Sequence, residues 1–211
     1  MSNTSASLND YIEHVTVLSE ALSAAQEAAH EFGLITPDAA TGKLLSTLAT
    51  ASNAQAAIAV SPAASVVGLY LLEGLNDHAV LSCIDPEPEH QKQAKTAFTQ
   101  AGYPASRIRF LPSRPLDVMS RLATASYDII YADISALEFT AFIKAGLPLL
   151  APGGTLILAD CLLDGTISDV SRKDRETISA REAEEYIASL DNVLVTRLPL
   201  GSGMTLISKK R

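Results

Sequence analysis

The chain has 211 residues, 47% of them hydrophobic, and a formal net charge of −8 at pH 7. This size and apolar content predict a single domain, with an N-terminal helical cap over residues 1–53 and a core over residues 54–211. Because the acidic chain offers no basic face to phosphates, we expect no nucleic-acid partner. The only cationic cluster in the sequence is Lys209-Lys210-Arg211.

Three features predict a cytoplasmic protein without a membrane-spanning segment. The N-terminal residues lack the basic and apolar regions of a secretory signal. Two cysteines, Cys83 and Cys161, lie in apolar runs and suit a reducing compartment better than a disulfide scaffold. The longest apolar stretch, residues 145–163, is interrupted by prolines, glycines and an aspartate, so it does not fit a membrane span.

Apolar residues at helical spacing open the chain and predict helices over Tyr11–Glu31 and Pro37–Ala51. Short β-rich runs then alternate with helical patterns. The predicted strands are Ala56–Val60, Val80–Asp85, Ile108–Leu111, Tyr127–Ala132 and Thr155–Asp160. The predicted helices between and after them are Ser65–Leu75, Glu87–Ala101, Leu116–Thr124, Ala136–Leu149 and Ile178–Leu190. This alternation implies right-handed crossovers and a parallel sheet covered on both faces.

The C-terminal segment has a different pattern. The runs "VLVTRLPL" and "MTLISKK" are separated only by "GSG", which predicts a hairpin and therefore one antiparallel strand. Five parallel strands followed by a hairpin describe an α/β, Rossmann-like class I methyltransferase with a seven-stranded, mostly parallel sheet and N-terminal helices.

Five segments together carry a resemblance that extends over almost the whole chain from Thr36. They are "TPDAATGKLL", "IDPEPEHQKQAKTAFTQAG", "SYDIIYAD", "LLAPGGTLILADCLLDG" and "LPLGSGMTLISKK". In this order and spacing the chain resembles the bacterial relatives of catechol and caffeoyl-CoA O-methyltransferases, the S-adenosylmethionine-dependent O-methyltransferase family 3. The resemblance implies methyl transfer to a hydroxyl group of a small molecule, and a homodimer.

The resemblance also implies a set of cofactor-binding residues. Asp85 matches the acidic residue that holds the ribose hydroxyls, and a carboxylate there accepts two hydrogen bonds from a cis-diol. Considered alone, an aspartate after a strand is more often a helix cap, and Asp85 does precede a predicted helix. The full implied set is Thr36, Val60, Ser61, Pro62, Ala63, Val67, Asp85, Pro86, Ser113, Arg114, Pro115 and Asp133.

Asp133 and Asp160, at the ends of the fourth and fifth strands, match the family's catalytic carboxylates, which bind a divalent metal. The fourth strand end reads Asp133-Ile134-Ser135-Ala136 and lacks the family's lysine base. Cys161 replaces the asparagine that completes the metal shell, and a thiol is a poor ligand for Mg²⁺. A softer ion such as Zn²⁺ would tolerate Cys161 better, and a small buried thiol is an equal alternative.

The first strand-to-helix turn departs from the family pattern as well. Ala59 stands where relatives carry an acidic residue, and the expected glycines are replaced by Ser61, Ala63 and Ser65. Glycine there permits a positive φ and a close backbone approach. S-adenosylmethionine has no pyrophosphate, so this turn is weakened as a methyl-donor site, whereas it is lost as a dinucleotide fingerprint.

Three functions therefore compete at this stage. The first is a working methyltransferase with an atypical site, and the second is a degenerate member that keeps the fold as a binding or partner module. A nicotinamide oxidoreductase is the third, and the missing glycines disfavour it. The histidines His14, His30, His78 and His90 show no metal-binding spacing, and we expect them at the solvated surface.

Overall fold

The computed structural model describes the backbone of residues 2–211 and the side chains of residues 8–211. Seven strands form one sheet in the order β3-β2-β1-β4-β5-β7-β6. They are β1 (Ala56–Val60), β2 (Val80–Ile84), β3 (Ile108–Leu111), β4 (Tyr127–Ala132), β5 (Leu150–Leu158), β6 (Val193–Leu198) and β7 (Met204–Lys209). Within this sheet, β7 runs antiparallel to both of its neighbours, β5 and β6, and thus opposite to the other six strands. The predicted Rossmann-like architecture with a C-terminal hairpin is confirmed.

Eight α-helices accompany the sheet in the described part of the chain. They are α1 (Ser2–Val15), α2 (Glu20–Glu31), α3 (Ala39–Ala51), α4 (Ala64–Gly74), α5 (Pro88–Gln100), α6 (Pro115–Met119), α7 (Phe139–Gly146) and α8 (Arg175–Ala188). Buried residues of α2 to α5 form one apolar cluster with one face of the sheet. Those of α6 to α8 form a second cluster with the opposite face. The sheet is thus covered on both sides, as the alternation of strands and helices predicts.

The strand register decides which side chains meet at the carboxyl edge. Val60 pairs with Ile84 on one side and with Ala132 on the other. Ala132 in turn pairs with Leu158. The residues that directly follow these strands therefore emerge at the same edge, which is where ligands bind in open parallel sheets.

Four predicted elements differ from the structure in continuity or extent, and the ends of the other predicted elements are shifted by at most three residues. The helix predicted over Tyr11–Glu31 is divided into two: α1 ends at Val15, and α2 begins directly after Ser19. The Oγ of Ser19 accepts a hydrogen bond from the backbone N of Leu22 at 3.2 Å. A capping serine inside an apolar pattern starts a second helix instead of continuing the first.

The remaining differences concern length. The helix predicted over Leu116–Thr124 stops at Met119, and the one predicted over Ala136–Leu149 is α-helical only from Phe139 to Gly146, between two 3₁₀ turns. Strand β5 begins at Leu150, earlier than predicted, and shifts register against β4 near its start. Among the described residues, no helix has the combination of length and apolar character that crossing a membrane requires.

Candidate active site

Two pockets open side by side at the carboxyl edge of the sheet. The Asp85 pocket, of about 440 Å³, is lined by Val60, Ser61, Pro62, Ile84, Asp85, Pro86, Glu87, His90, Arg114, Pro115, Asp133, Ile134 and Glu138. The Asp160 pocket, of about 260 Å³, is lined by Ile35, Thr36, Pro37, Asp38, Thr41, Tyr131, Asp133, Ala159, Asp160, Leu200, Gly201, Ser202 and Met204. Asp133 lines both pockets and marks their junction.

Asp85 is 6% exposed, and only one oxygen of its carboxylate has hydrogen-bonding partners among the described residues. Its Oδ1 accepts from the backbone N of Glu87 at 2.6 Å and lies 3.1 Å from Nδ1 of His90. No described residue hydrogen-bonds to Oδ2. One oxygen thus closes the turn that precedes α5, while the other stays available to a ligand.

His90 is the histidine for which the surface prediction is wrong. Its side chain is only 18% exposed, and its Nδ1 contacts Oδ1 of Asp85. It lies on the first turn of α5, facing the Asp85 pocket. The available sequence signal was the spacing between Asp85, at a strand end, and His90, five residues later at the start of a predicted helix. This spacing places both side chains on the same side of the turn.

The turn after β1 adopts a conformation that does not require glycine. Residues 61–65 all lie outside the left-handed region. The Ser61 hydroxyl accepts from the backbone N of Ala63 at 3.1 Å and donates to Oδ2 of Asp133 at 3.3 Å. Because no positive φ is needed, serine and alanine fit where glycines were expected, and Ser61 adds a polar link between the turn and Asp133.

The Asp160 pocket is acidic. Asp38, Asp133 and Asp160 contribute carboxylates, and its lining includes no lysine, arginine or histidine. Asp38 caps α3 through Oδ1, which accepts from the backbone N of Thr41 at 2.7 Å. The predicted cofactor residue Thr36 is found here, and its hydroxyl lies 3.1 Å from Nε2 of His30.

Asp160 is held by the turn between β6 and β7. It has a positive φ of 50°, and its Oδ1 accepts from the backbone N of Ser202 at 2.6 Å. A Cβ on Gly201 would stand 2.5 Å from the same oxygen. Only glycine at position 201 therefore leaves room for this hydrogen bond.

Burial and neighbouring charge alter the acid–base properties of this region. Burial, followed by the negative charge of Asp160, raises the pKa of Asp133, while the hydrogen bond from Ser61 lowers it in part. The pKa of Tyr131 is also raised, first by burial and then by Asp133, Asp160 and Asp38. The phenol is therefore neutral at physiological pH and lies close to three carboxylates.

Comparison with known proteins assigns the chain to a family. The sequence profile of a family described as O-methyltransferase matches residues 6–210. The chain belongs to this O-methyltransferase family. A Mycolicibacterium vanbaalenii protein assigned to the O-methyltransferases is 37% identical over 195 residues, which are 92% of this chain and 86% of the relative.

Solved structures share the fold of this O-methyltransferase family member. A Corynebacterium glutamicum protein has 52% identity and a TM-score of 0.95, over 99% of this chain and 98% of that one. The O-methyltransferase TomG from Streptomyces achromogenes, solved in complex with S-adenosylmethionine, has 24% identity and a TM-score of 0.87, over 97% of this chain and 96% of that one. At that identity the second likeness shows the fold alone.

The donor set of this O-methyltransferase family member does not fit a divalent metal. Within residues 8–211, no group of three or more histidine, cysteine, aspartate or glutamate side chains is arranged to hold an ion. The Cys161 thiol belongs to the apolar cluster under α7 and α8 and lies 3.1 Å from the Thr205 hydroxyl. The assignment of Cys161 as a ligand beside Asp133 and Asp160 therefore finds no support, and the alternative of a small buried thiol describes it better.

Most predicted cofactor residues line one of the two pockets, and three do not. Ala63 and Val67 are buried at 1% and 0% exposure behind the turn, and Ser113 lines neither pocket. Sequence reasoning missed Asp38, Tyr131 and the Gly201-Ser202 pair. A tyrosine two residues before the acidic strand end at Asp133 was the available signal for Tyr131, whereas Gly201 and Ser202 carry no local signal.

Proposed function

We propose that the protein is an S-adenosylmethionine-dependent O-methyltransferase that transfers a methyl group to a hydroxyl of a small molecule. The observation that carries this proposal is the junction of the two pockets at Asp133, at the carboxyl ends of β1, β2 and β4. A methyl donor is an elongated molecule with a nucleoside at one end and an amino acid at the other. Two adjoining pockets accommodate that shape, with the reactive sulfonium at the junction.

The Asp85 pocket suits the nucleoside. The free Oδ2 of Asp85 is an acceptor for the ribose hydroxyls, and Arg114 and Pro115, just after β3, offer a flat surface for the adenine. Ser61 and Pro62 bring the first turn to the same pocket. The Asp160 pocket then takes the amino-acid end of the donor together with the acceptor molecule.

The reaction forms an O–CH₃ bond and breaks the S–CH₃ bond, so that the sulfonium becomes a neutral thioether and the hydroxyl proton must be taken up. Asp133 is the proposed proton acceptor because its raised pKa makes it a stronger base than an exposed aspartate. Ser61 fixes one oxygen of this carboxylate. Asp160, fixed by Ser202, positions the acceptor hydroxyl, and holding both reactants in line supplies much of the rate.

No step of this proposal passes through a metal, because the carboxylates of the Asp160 pocket are not arranged to hold an ion and Cys161 belongs to the apolar cluster of the core. Nothing in the pocket replaces the family's lysine by position. An acceptor whose hydroxyl is already acidic, such as a phenol, would therefore need the least assistance from the protein.

Isothermal titration with S-adenosylhomocysteine, the product form of the donor, tests the proposal. We expect binding in the micromolar range without added metal, and no binding of NADH at the same concentrations, because the first turn lacks the geometry for a pyrophosphate. Absence of S-adenosylhomocysteine binding up to millimolar concentrations would contradict the proposal. The protein would then be a module that keeps the methyltransferase fold for another partner.

A further inference from the structure

Tyr131 lies beside Ala59 at the carboxyl edge of the sheet. The two residues are register partners in the parallel pair of β1 and β4, so their side chains point to the same face about 5 Å apart. Both belong to the apolar cluster on the α2 to α5 side. The side chain of Ala59 has no polar group, so the hydroxyl oxygen of Tyr131 is the only polar side-chain atom of the pair.

The hydroxyl of Tyr131 is open to the Asp160 pocket although the residue is only 3% exposed. No described residue hydrogen-bonds to it. The fully buried side-chain atoms that lack a partner in the described chain belong to Tyr70 and Gln93, not to Tyr131. Its oxygen is therefore an unused hydrogen-bonding group at the pocket surface, and an unused polar group at the edge of a core points to a ligand.

The charges around this hydroxyl select the kind of ligand group. Asp38, Asp133 and Asp160 all lie near enough to disfavour a negative charge on the phenol. The same three carboxylates would attract an ammonium group, so of the two charged groups of an amino acid the ammonium is the one that suits the side of the phenol. A neutral phenol oxygen accepts hydrogen bonds from a cation, so the group expected next to Tyr131 is an ammonium.

We propose that the Tyr131 hydroxyl binds the ammonium group of the methyl donor's amino-acid end. This inference rests on the proposed function, because it requires the donor to extend from the Asp85 pocket past Asp133 into the Asp160 pocket. Tyr131 lies near the end of β4, two residues before Asp133, and lines the Asp160 pocket but not the Asp85 pocket. A ligand that enters from Asp85 therefore reaches Tyr131 only after it passes Asp133. The residue is thereby assigned to donor binding and not to the chemical step.

The experiment compares two ligands that differ only at the amino-acid end. S-adenosylhomocysteine carries the ammonium and carboxylate, and 5′-methylthioadenosine has the same nucleoside and thioether without them. Tyr131→Phe removes a single oxygen, and Tyr127→Phe, at the other end of the same strand and in the opposite apolar cluster, is the matched control. Each protein is titrated calorimetrically with each ligand.

Tyr131→Phe is expected to raise the Kd for S-adenosylhomocysteine about tenfold, since a hydrogen bond to a charged group is lost, and to change the Kd for 5′-methylthioadenosine less than twofold. Tyr127→Phe is expected to leave both constants unchanged. Equal weakening of both ligands by Tyr131→Phe, or no weakening of either, would overturn this inference while the wild-type protein still binds donor. Failure of the wild-type protein to bind S-adenosylhomocysteine would instead overturn the proposed function, and this inference with it.

Discussion

The two pockets at the carboxyl edge are assembled in different ways. The Asp85 pocket is built mainly from residues that directly follow β1, β2, β3 and β4, so a parallel sheet brings them together by its register alone. The Asp160 pocket adds the start of α3 and the turn between β6 and β7, which are more than 150 residues apart in the chain. The difference shows that strand register alone assembles the Asp85 pocket, whereas the Asp160 pocket depends on long-range packing.

The pockets also differ in charge. The lining of the Asp85 pocket includes Arg114 and His90 besides its acids, whereas the lining of the Asp160 pocket includes carboxylates and no lysine, arginine or histidine. An uncompensated acidic pocket favours the ammonium and sulfonium groups of a methyl donor and disfavours an acceptor with phosphate groups. Variants that act on one pocket and spare the other can therefore separate the two roles.

The largest effect is expected from Asp85→Ala, which should weaken S-adenosylhomocysteine binding about a hundredfold because two hydrogen bonds to a carboxylate are lost. Asp77→Ala, an exposed aspartate before β2, is the control and should bind normally. Calorimetric titration measures both. Unchanged affinity in Asp85→Ala would remove Asp85 from the donor site and leave it only as part of the turn before α5.

Gly201→Ala tests how the Asp160 pocket is held together. A methyl group there would press on Oδ1 of Asp160 and break its bond to Ser202, so we expect the free energy of unfolding in urea to fall by about 2–3 kcal/mol. Gly165→Ala is the matched control, since Gly165 also has a positive φ, but nothing lies within 4 Å of the added carbon. It should cost only about 1–2 kcal/mol of backbone strain. Equal losses in the two variants would show that Gly201 serves its backbone conformation alone.

A smaller effect is expected from Asp133→Asn at the junction. Because the pKa of Asp133 is raised in the folded protein, the folded state binds this proton more tightly than the unfolded state. The wild-type protein therefore loses stability as the pH rises from about 3.8, the ordinary value, through the raised pKa. The variant should have a higher Tm than the wild type at pH 7 and no such advantage at pH 3, as thermal unfolding across this range would show. A lower Tm at pH 7 would mean that the bond from Ser61 outweighs the cost of burying the charge.

Sequence reasoning recovered the sheet well and the site unevenly. Strands β1, β3 and β4 match their predicted bounds, because short apolar runs bounded by turn residues are a strong local signal. Asp85, Asp133 and Asp160 were located through their positions after strands. His90 was misjudged because its contact with Asp85 depends on how α5 leaves the strand. The sequence left two alternatives open for Cys161, because the side on which its thiol lies depends on the backbone turn at Asp160, which has a positive φ.

The amino-acid sequence by itself determined the order of strands and helices, the parallel core with its closing hairpin, and the acids at the strand ends, since hydrophobic periodicity and strand-end chemistry are local properties. Only the tertiary structure decided that β7 inserts between β5 and β6, and this insertion carries Gly201 and Ser202 to Asp160. The tertiary structure also places Tyr131 beside Ala59, and it brings Asp38 into the same pocket as Asp133. These neighbours are distant in the chain, and their proximity arises from strand register and helix packing, which no local pattern encodes.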